Sequence, residues 1–220
     1  MDMEIVLLAM VAGFILLRLR SELGKKTGNE PQPPAAGHMR HTHAGQPEES
    51  ARNHVDIEVG EDTVVDLESN PALRKAFQDI RHADRSFDVG TFLEGAKAAY
   101  GMILEAFWKG DKGTLKDFLD DSVYQQFSAA IDQRETNGLT VHNRLLDVTE
   151  EDIVDARLNG RMAELTVHFR AEIVAVTKDS DGHVVEGNLS DAVEFNDTWT
   201  FARDTKSREP NWTLIGTRAG

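Results

Sequence analysis

Residues 161–177 restrict the fold of this chain more than any other part, because apolar and polar side chains alternate strictly from Ala163 to Ile173. A period of two is typical of a strand that buries one face and leaves the other in solvent. Asn159 and Gly160 stand directly before the run, and this pair favours a tight hairpin turn. The sequence therefore predicts a long antiparallel strand. Its apolar positions are Ala163, Leu165, Val167, Phe169, Ala171 and Ile173, and its polar positions are Glu164, Thr166, His168, Arg170 and Glu172.

Further strands are predicted on both sides of that run. Two come before it, at 140–148 and 153–158, and a turn at 179–182 follows it. Alternation returns around 193–201, where Asp197 falls on the same side as Phe195 and Trp199. A last strand holds Trp212, Leu214 and Gly216.

The residues before position 140 show the three-to-four residue spacing of apolar side chains that is typical of amphipathic helices. Ser69 or Asn70 is a suitable N-cap, and Gly110 is a suitable C-terminal stop. Helices followed by antiparallel strands predict an α+β domain over residues 70–220, with helices packed on one face of a curved antiparallel sheet. The predicted helices run from Pro71 to near Arg85, from Asp88 to Lys109, from Thr114 to Leu119, and from Asp121 or Ser122 to Thr136.

Residues 1–20 are predicted to form a short N-terminal membrane helix. Residues 5–17 carry no charge, and Met3 and Leu19 extend the apolar block, interrupted by Glu4 and Arg18, to about seventeen residues. About seventeen residues is the lower length limit for a spanning helix. A signal peptide and a buried core helix are the alternatives, but the acids near the start oppose the first and the apolar residues on every side oppose the second. Basic residues after the block place the domain in the cytoplasm, with the anchor in the inner (cytoplasmic) membrane. The anchor residues are Ile5, Leu8, Phe14, Leu17, Arg18 and Arg20.

Residues 21–69 are predicted to be a disordered tether, rich in proline and then in acids. Residues 48–68 contain eight acids against one base, and residues 55–59 alternate β-branched and acidic side chains. That alternation leaves two interpretations open, a strand added to a sheet edge or an acidic linker that keeps the chain soluble. His38, His41 and His43 are interpreted as linker histidines in solvent rather than as a metal site.

Charge and cysteine content exclude several classes of function. The chain has 38 acids, 24 bases and a formal net charge of −14, which argues against nucleic acid as the partner. It has no cysteine, so disulfides, thiolate metal sites and cysteine nucleophiles are excluded. The sequence shows no catalytic triad, phosphate loop, metal-ligand spacing or dinucleotide glycine pattern, and we expect no cofactor and no metal.

Several separated blocks between residues 71 and 217 resemble the Tim44-like domain family. The blocks are FDVGTFLEGAKAAYGMILEAFWKGD, TLKDFL, VYQQFSAAIDQRETNG, HFRAEIV, DTWTFARD and PNWTLIGT. The resemblance extends to the alphaproteobacterial adaptors called TimA, which share the order of anchor, tether and domain. It implies a nuclear-transport-factor-like cone with an apolar groove between helices and sheet. It also implies an adaptor in protein translocation or membrane-protein biogenesis, with no enzymatic activity.

That resemblance implies a groove that binds a protein segment or a lipid acyl chain, so the expected partners are membrane lipid and an unidentified protein. Trp108 lies off the inward stripe of its helix and is expected to face the partner. The groove residues are predicted to be Phe92, Tyr100, Phe107, Trp108, Phe127, Phe169, Phe195 and Trp199.

A small-molecule-binding protein or an isomerase-type enzyme that uses the cone cavity is the alternative. Its candidate residues are Asp197, His142 and His168, although alternation points His168 away from the interior. A buried Asp197 has a raised pKa, but it is also explained by a structural pairing with an arginine or with backbone donors. Trp199 and Trp212 are interpreted as core. The bases Arg203, Lys206 and Arg208 belong either to a solvated loop or to a surface that meets lipid headgroups.

Overall fold

The computed structural model describes residues 70–219. Predictions for the anchor, the tether and the histidines within it fall outside these residues. Within residues 70–219, no helix has the length and apolar composition needed to cross a membrane. The elements are α1 (Pro71–Ala83), α2 (Val89–Lys109), α3 (Lys112–Phe118), α4 (Asp121–Thr136), β1 (Thr140–Val141), β2 (Arg144–Asn159), β3 (Met162–Lys178), β4 (Val184–Asp204) and β5 (Thr213–Ala219).

Side-chain caps fix where the helices begin. Asn70 Oδ1 accepts hydrogen bonds from the backbone N–H groups of Ala72 and Leu73, at 3.1 and 3.2 Å. Asp88 accepts one from the Thr91 N–H at 2.7 Å, and Asp111 and Asp120 cap α3 and α4 in the same way. The prediction of a cap at Ser69 or Asn70 is confirmed at Asn70, and Asp88, predicted as the start of the second helix, is its N-cap. Each cap satisfies backbone donors that the first helical turn leaves unpaired. Gly110 ends α2 in the left-handed conformation, with φ 72°.

The sheet is antiparallel throughout and is built around β3. Both β1 and β2 pair along one edge of β3, β4 pairs along the other edge, and β5 lies outside β4. The apolar side chains of β3 from Ala163 to Ile173 belong to one core cluster with the buried side chains of α1, α2 and α4, and most of its polar side chains lie on the other face of the sheet. A mixed fold of helices and an antiparallel sheet is therefore confirmed, and the nuclear-transport-factor-like cone stays a prediction.

The prediction of two separate strands at 140–148 and 153–158 is wrong. Strand β2 runs without a break from Arg144 to Asn159, and only Thr140–Val141 forms a strand of its own. Three register shifts, the first between Leu145 and Asp147, absorb extra residues in β2. These bulges let the acidic stretch 150–152 keep its pairing with β3.

Strand β4 also begins earlier than alternation indicates, at Val184 rather than near Val193. Gly187, with φ 81°, makes this extension possible. A Cβ at this position would collide with the backbone carbonyl oxygen of Ala175 in β3. The strand therefore depends on a glycine that brings the two backbones close together.

Replacing Gly187 with alanine is expected to detach the outer half of the β3–β4 hairpin, because both the positive φ and the close approach oppose a side chain. We expect a local cost of about 1–3 kcal/mol, measured as faster amide hydrogen exchange around 176–190. Gly160→Ala is the matched control, since Gly160 also has positive φ (61°) but a Cβ there meets nothing within 4 Å. Equal effects of the two substitutions would contradict the role of the close approach.

Candidate functional site

The aromatic side chains predicted to line a groove lie mostly in the core. Tyr100 stacks on Phe169 with a ring-centroid distance of 4.5 Å and packs against Trp199 at 4.6 Å. Because the helices pack directly on the sheet, these side chains fill the space between the two layers. Five of the eight predicted groove residues are buried in this way, namely Phe92, Tyr100, Phe127, Phe169 and Trp199.

Phe107, Trp108 and Phe195 are partly buried and pack against the edge of that core. Phe107 lies inward, with its ring 5.0 Å from the ring of Phe127 and under the guanidinium of Arg134 at 5.7 Å. Trp108, the next residue, faces the other side of α2 and lines an open cleft.

This cleft has a volume of about 670 Å³ and separates the outer stripe of α2 from the connection between β1 and β2. The backbone of that connection is held to β3, because His142 N–H donates to the Val176 carbonyl at 2.8 Å and Asn143 Oδ1 accepts from Val176 N–H at 2.9 Å. The cleft is lined by Lys97, Ala98, Gly101, Met102, Glu105, Trp108, Lys109, Val141, His142, Asn143, Arg144 and Leu145.

A second stripe on α2 supplies one wall of the cleft. Positions 97, 98, 101, 102, 105, 108 and 109 recur at helical spacing on the face opposite Tyr100. Gly101 brings the helix close to the strand, since a Cβ there would lie 3.4 Å from the Leu145 side chain. Sequence reasoning identified Trp108 alone from this stripe, although the spacing of the other residues carried the same signal.

The cleft combines apolar and basic groups. Met102 is 45% exposed, and the side chains of Trp108, Val141 and Leu145 supply further apolar surface. Its bases are Lys97, whose Nζ lies 3.2 Å from a Glu151 carboxylate oxygen, Lys109, which pairs with Glu105, and Arg144. Such a lining suits an extended segment or chain with both apolar and anionic groups, and the volume is in the range of ligand clefts.

The enzyme candidates Asp197, His142 and His168 are not brought together by the fold. Asp197 faces the core, as its alternation predicts, and is only 3% exposed. His168 lies on the polar face of the sheet, with Nδ1 at 3.5 Å from Thr198 Oγ1, and His142 lies at the cleft.

Asp197 forms a buried pair that the sequence did not reveal. The hydroxyl of Tyr100 donates a hydrogen bond to Asp197 Oδ2 at 2.7 Å. Burial raises the pKa of the Asp197 carboxyl, while the Tyr100 hydrogen bond and the charge of His168 lower it. Burial, and then the charge of Asp197, raise the pKa of Tyr100 above its usual range. Both side chains are buried, and their hydrogen bond links α2 to the sheet.

Three side chains in the turn between β3 and β4, Asp179, Asp181 and His183, bring possible metal-ligand atoms within 4.8 Å of one another. Asp179 Oδ1 already accepts hydrogen bonds from the backbone N–H groups of Asp181 and His183, at 3.0 and 2.8 Å. Those bonds explain the position of the Asp179 carboxylate, because it stabilises the turn.

Comparisons with known proteins agree with the resemblance in the sequence. A family model described as a Tim44-like domain matches residues 73–219. "Mitochondrial import inner membrane translocase subunit TIM44" of Rattus norvegicus is 28% identical over 152 residues, which cover 68% of this chain and 34% of that protein. The chain therefore spans about a third of the length of this relative, and the human protein of the same name matches over the same shares.

A bacterial protein and a solved structure extend the comparison. An uncharacterized protein of Rickettsia prowazekii is 25% identical over 160 residues, covering 72% of this chain and 65% of that one. The intermembrane space region of the chloroplast protein ARC6 superposes with a TM-score of 0.37 at 12% identity, over 58% of this chain and 95% of that one.

Proposed function

The chain belongs to the Tim44-like domain family, and from this membership we propose that it is an adaptor in protein translocation or membrane-protein biogenesis. The family match is the observation that carries the proposal, since relatives over the same residues are named as subunits of an inner-membrane translocase. The proposed adaptor binds a partner and catalyses no reaction.

The apolar block at residues 5–17 is the proposed anchor, and the bases that follow it support an orientation with the domain in the cytoplasm. In this proposal residues 1–20 hold the chain in the inner membrane and residues 21–69 set how far the domain reaches. A domain held in this way meets its partner at a high effective concentration, so a weak contact is sufficient.

The proposed contact is the cleft between α2 and the β1–β2 connection. Of the predicted groove residues, Trp108 is the one that lines it. Its exposed Met102 and Arg144 favour a protein segment with apolar and acidic side chains, since Lys97 and Lys109 already pair with Glu151 and Glu105. A lipid also combines an apolar acyl chain with an anionic headgroup, so it is the alternative ligand of the cleft.

Met102→Glu is expected to lower the recovery of the partner in co-isolation from membranes by at least about tenfold, because it puts a charge on the apolar wall of the cleft. Met162→Glu is the matched control, since Met162 is similarly exposed, at 40% against 45%, and lies at the start of β3. Thermal unfolding checks that both variants stay folded. Equal recovery from the two variants would contradict the cleft as the contact.

A further inference from the structure

The end of the domain farthest from the β3–β4 turn collects basic side chains. We define the basic end as Arg81, Arg85, Arg161, Arg203, Lys206 and Arg208. Three elements meet there, namely the last turn of α1, the β2–β3 turn and the loop after β4. Lys206 Nζ donates to the Ala83 carbonyl at 3.1 Å, and Thr205 N–H donates to the Arg161 carbonyl at 2.9 Å. These bonds hold segments that are far apart in sequence on one surface.

The basic end has more positive charge than its acids neutralise. Arg203 pairs with Asp84, and Arg161 pairs with Asp204 at 2.5 Å, while Arg85, Lys206 and Arg208 are exposed. Glu209 is the remaining acid of the loop. Asp88 lies within electrostatic range of Arg81. Six bases against four acids contrast with residues 71–220 as a whole, where 18 bases stand against 26 acids. An acidic domain thus carries one positive surface.

The chain itself supplies a segment of opposite charge close to this surface. Residues 48–68 hold eight acids and one base, and they end directly before Asn70, where α1 begins. The 13 residues of α1 span about 20 Å. About six extended residues cover that distance. The acids from Glu48 to Asp62 are therefore within reach of the basic end.

We propose that the acidic segment, residues 48–68, docks on the basic end of the same molecule. The contact would join the N-terminal part of the chain to the end of the domain opposite the β3–β4 turn, and so fix how the domain is oriented relative to whatever holds residues 1–20. Because it rests on exposed charges, it weakens as salt rises. It involves none of the residues that line the cleft, so it stands or falls independently of the proposed function.

Distances between pairs of spin labels in the full chain test this contact. Because the sequence has no cysteine, only the introduced cysteines are labelled. One pair joins Ile57→Cys to Ser207→Cys at the basic end, and the control pair joins Ile57→Cys to Ser180→Cys in the β3–β4 turn. In nanodiscs of phosphatidylcholine at low salt, we expect a short, narrow distance for the first pair and not for the second. The short-distance population should fall at least about fivefold at ~0.5 M NaCl.

A matched pair of charge reversals identifies the surface. Arg85→Glu with Arg208→Glu is expected to remove the short distance, whereas Lys116→Glu with Arg218→Glu changes the net charge equally and should leave it intact. All four side chains are exposed.

Three results would overturn the proposal. Broad, salt-insensitive distances for both label pairs would show that no docking occurs. Loss of the short distance on dilution with unlabelled chain would mean that the segment docks on a second copy. A third result would assign the basic end to the membrane surface. In that case the distances would be broad, and a label at position 207 would be shielded from a water-soluble relaxing agent only in phosphatidylglycerol nanodiscs.

Discussion

Trp199→Ala is expected to lower the free energy of unfolding by about 3–5 kcal/mol. The side chain is fully buried at the centre of the aromatic cluster, with its ring 4.6 Å from Tyr100, 6.0 Å from Phe169 and 6.3 Å from Phe201. Truncation would leave a cavity between α2 and the sheet that neighbouring rings cannot fill. Urea unfolding followed by circular dichroism measures the loss.

Trp108→Ala is the control for this prediction, because it removes the same side chain from a partly exposed position at the cleft. It should cost about 1 kcal/mol, in line with the smaller apolar area that it returns to water. A Trp199→Ala chain as stable as Trp108→Ala would contradict the packing of α2 on the sheet.

The second large effect is expected from Asp84→Ala, which removes the acidic partner of Arg203. The two side chains are each 12% exposed, and the Arg203 guanidinium lies over the Trp212 ring at 5.3 Å. Burial lowers the pKa of Arg203, because the guanidinium charge loses part of its hydration. The Asp84 carboxylate offsets that loss by pairing with the charge. Losing that partner should destabilise the domain by about 3 kcal/mol, since it leaves a nearly buried charge unpaired.

Asp84 also accepts hydrogen bonds from Ser86, so a double-mutant cycle is needed to isolate the ion pair. Arg203→Met in the Asp84→Ala background is expected to recover most of the loss, because an apolar side chain can stay against Trp212 without a partner. Additive losses in the cycle would contradict a coupled pair.

Local sequence signals account for most of the architecture. Helix starts followed from capping side chains such as Asn70 and Asp88, and the buried face of β3 followed from its alternation, because both depend on residues adjacent in sequence. The continuity of β2 could not be predicted, since its bulges are set by pairing with β3. The need for glycine at position 187 could not be predicted either, because it arises from the close approach of the Ala175 backbone in the neighbouring strand.

The candidate site was harder to predict than the fold. Apolar periodicity marked Tyr100, Phe169 and Trp199 as inward, but it cannot show whether inward side chains line a space or fill it. The partner of Asp197 lies 97 residues away in the sequence, on another element. Trp108 was found because it lies off the inward stripe, whereas the strand wall that faces it depends on how β1 and β2 pair with β3.

Site-specific photo-crosslinking in intact cells tests the adaptor function most directly. A photoreactive amino acid replaces Met102 in the cleft of the full chain, or Met162 as the control at matched exposure. We expect a discrete adduct with a protein of the translocation machinery from position 102, lost when Trp108 is changed to alanine, and no adduct from position 162. Equal adducts from both positions, or none from position 102, would contradict it.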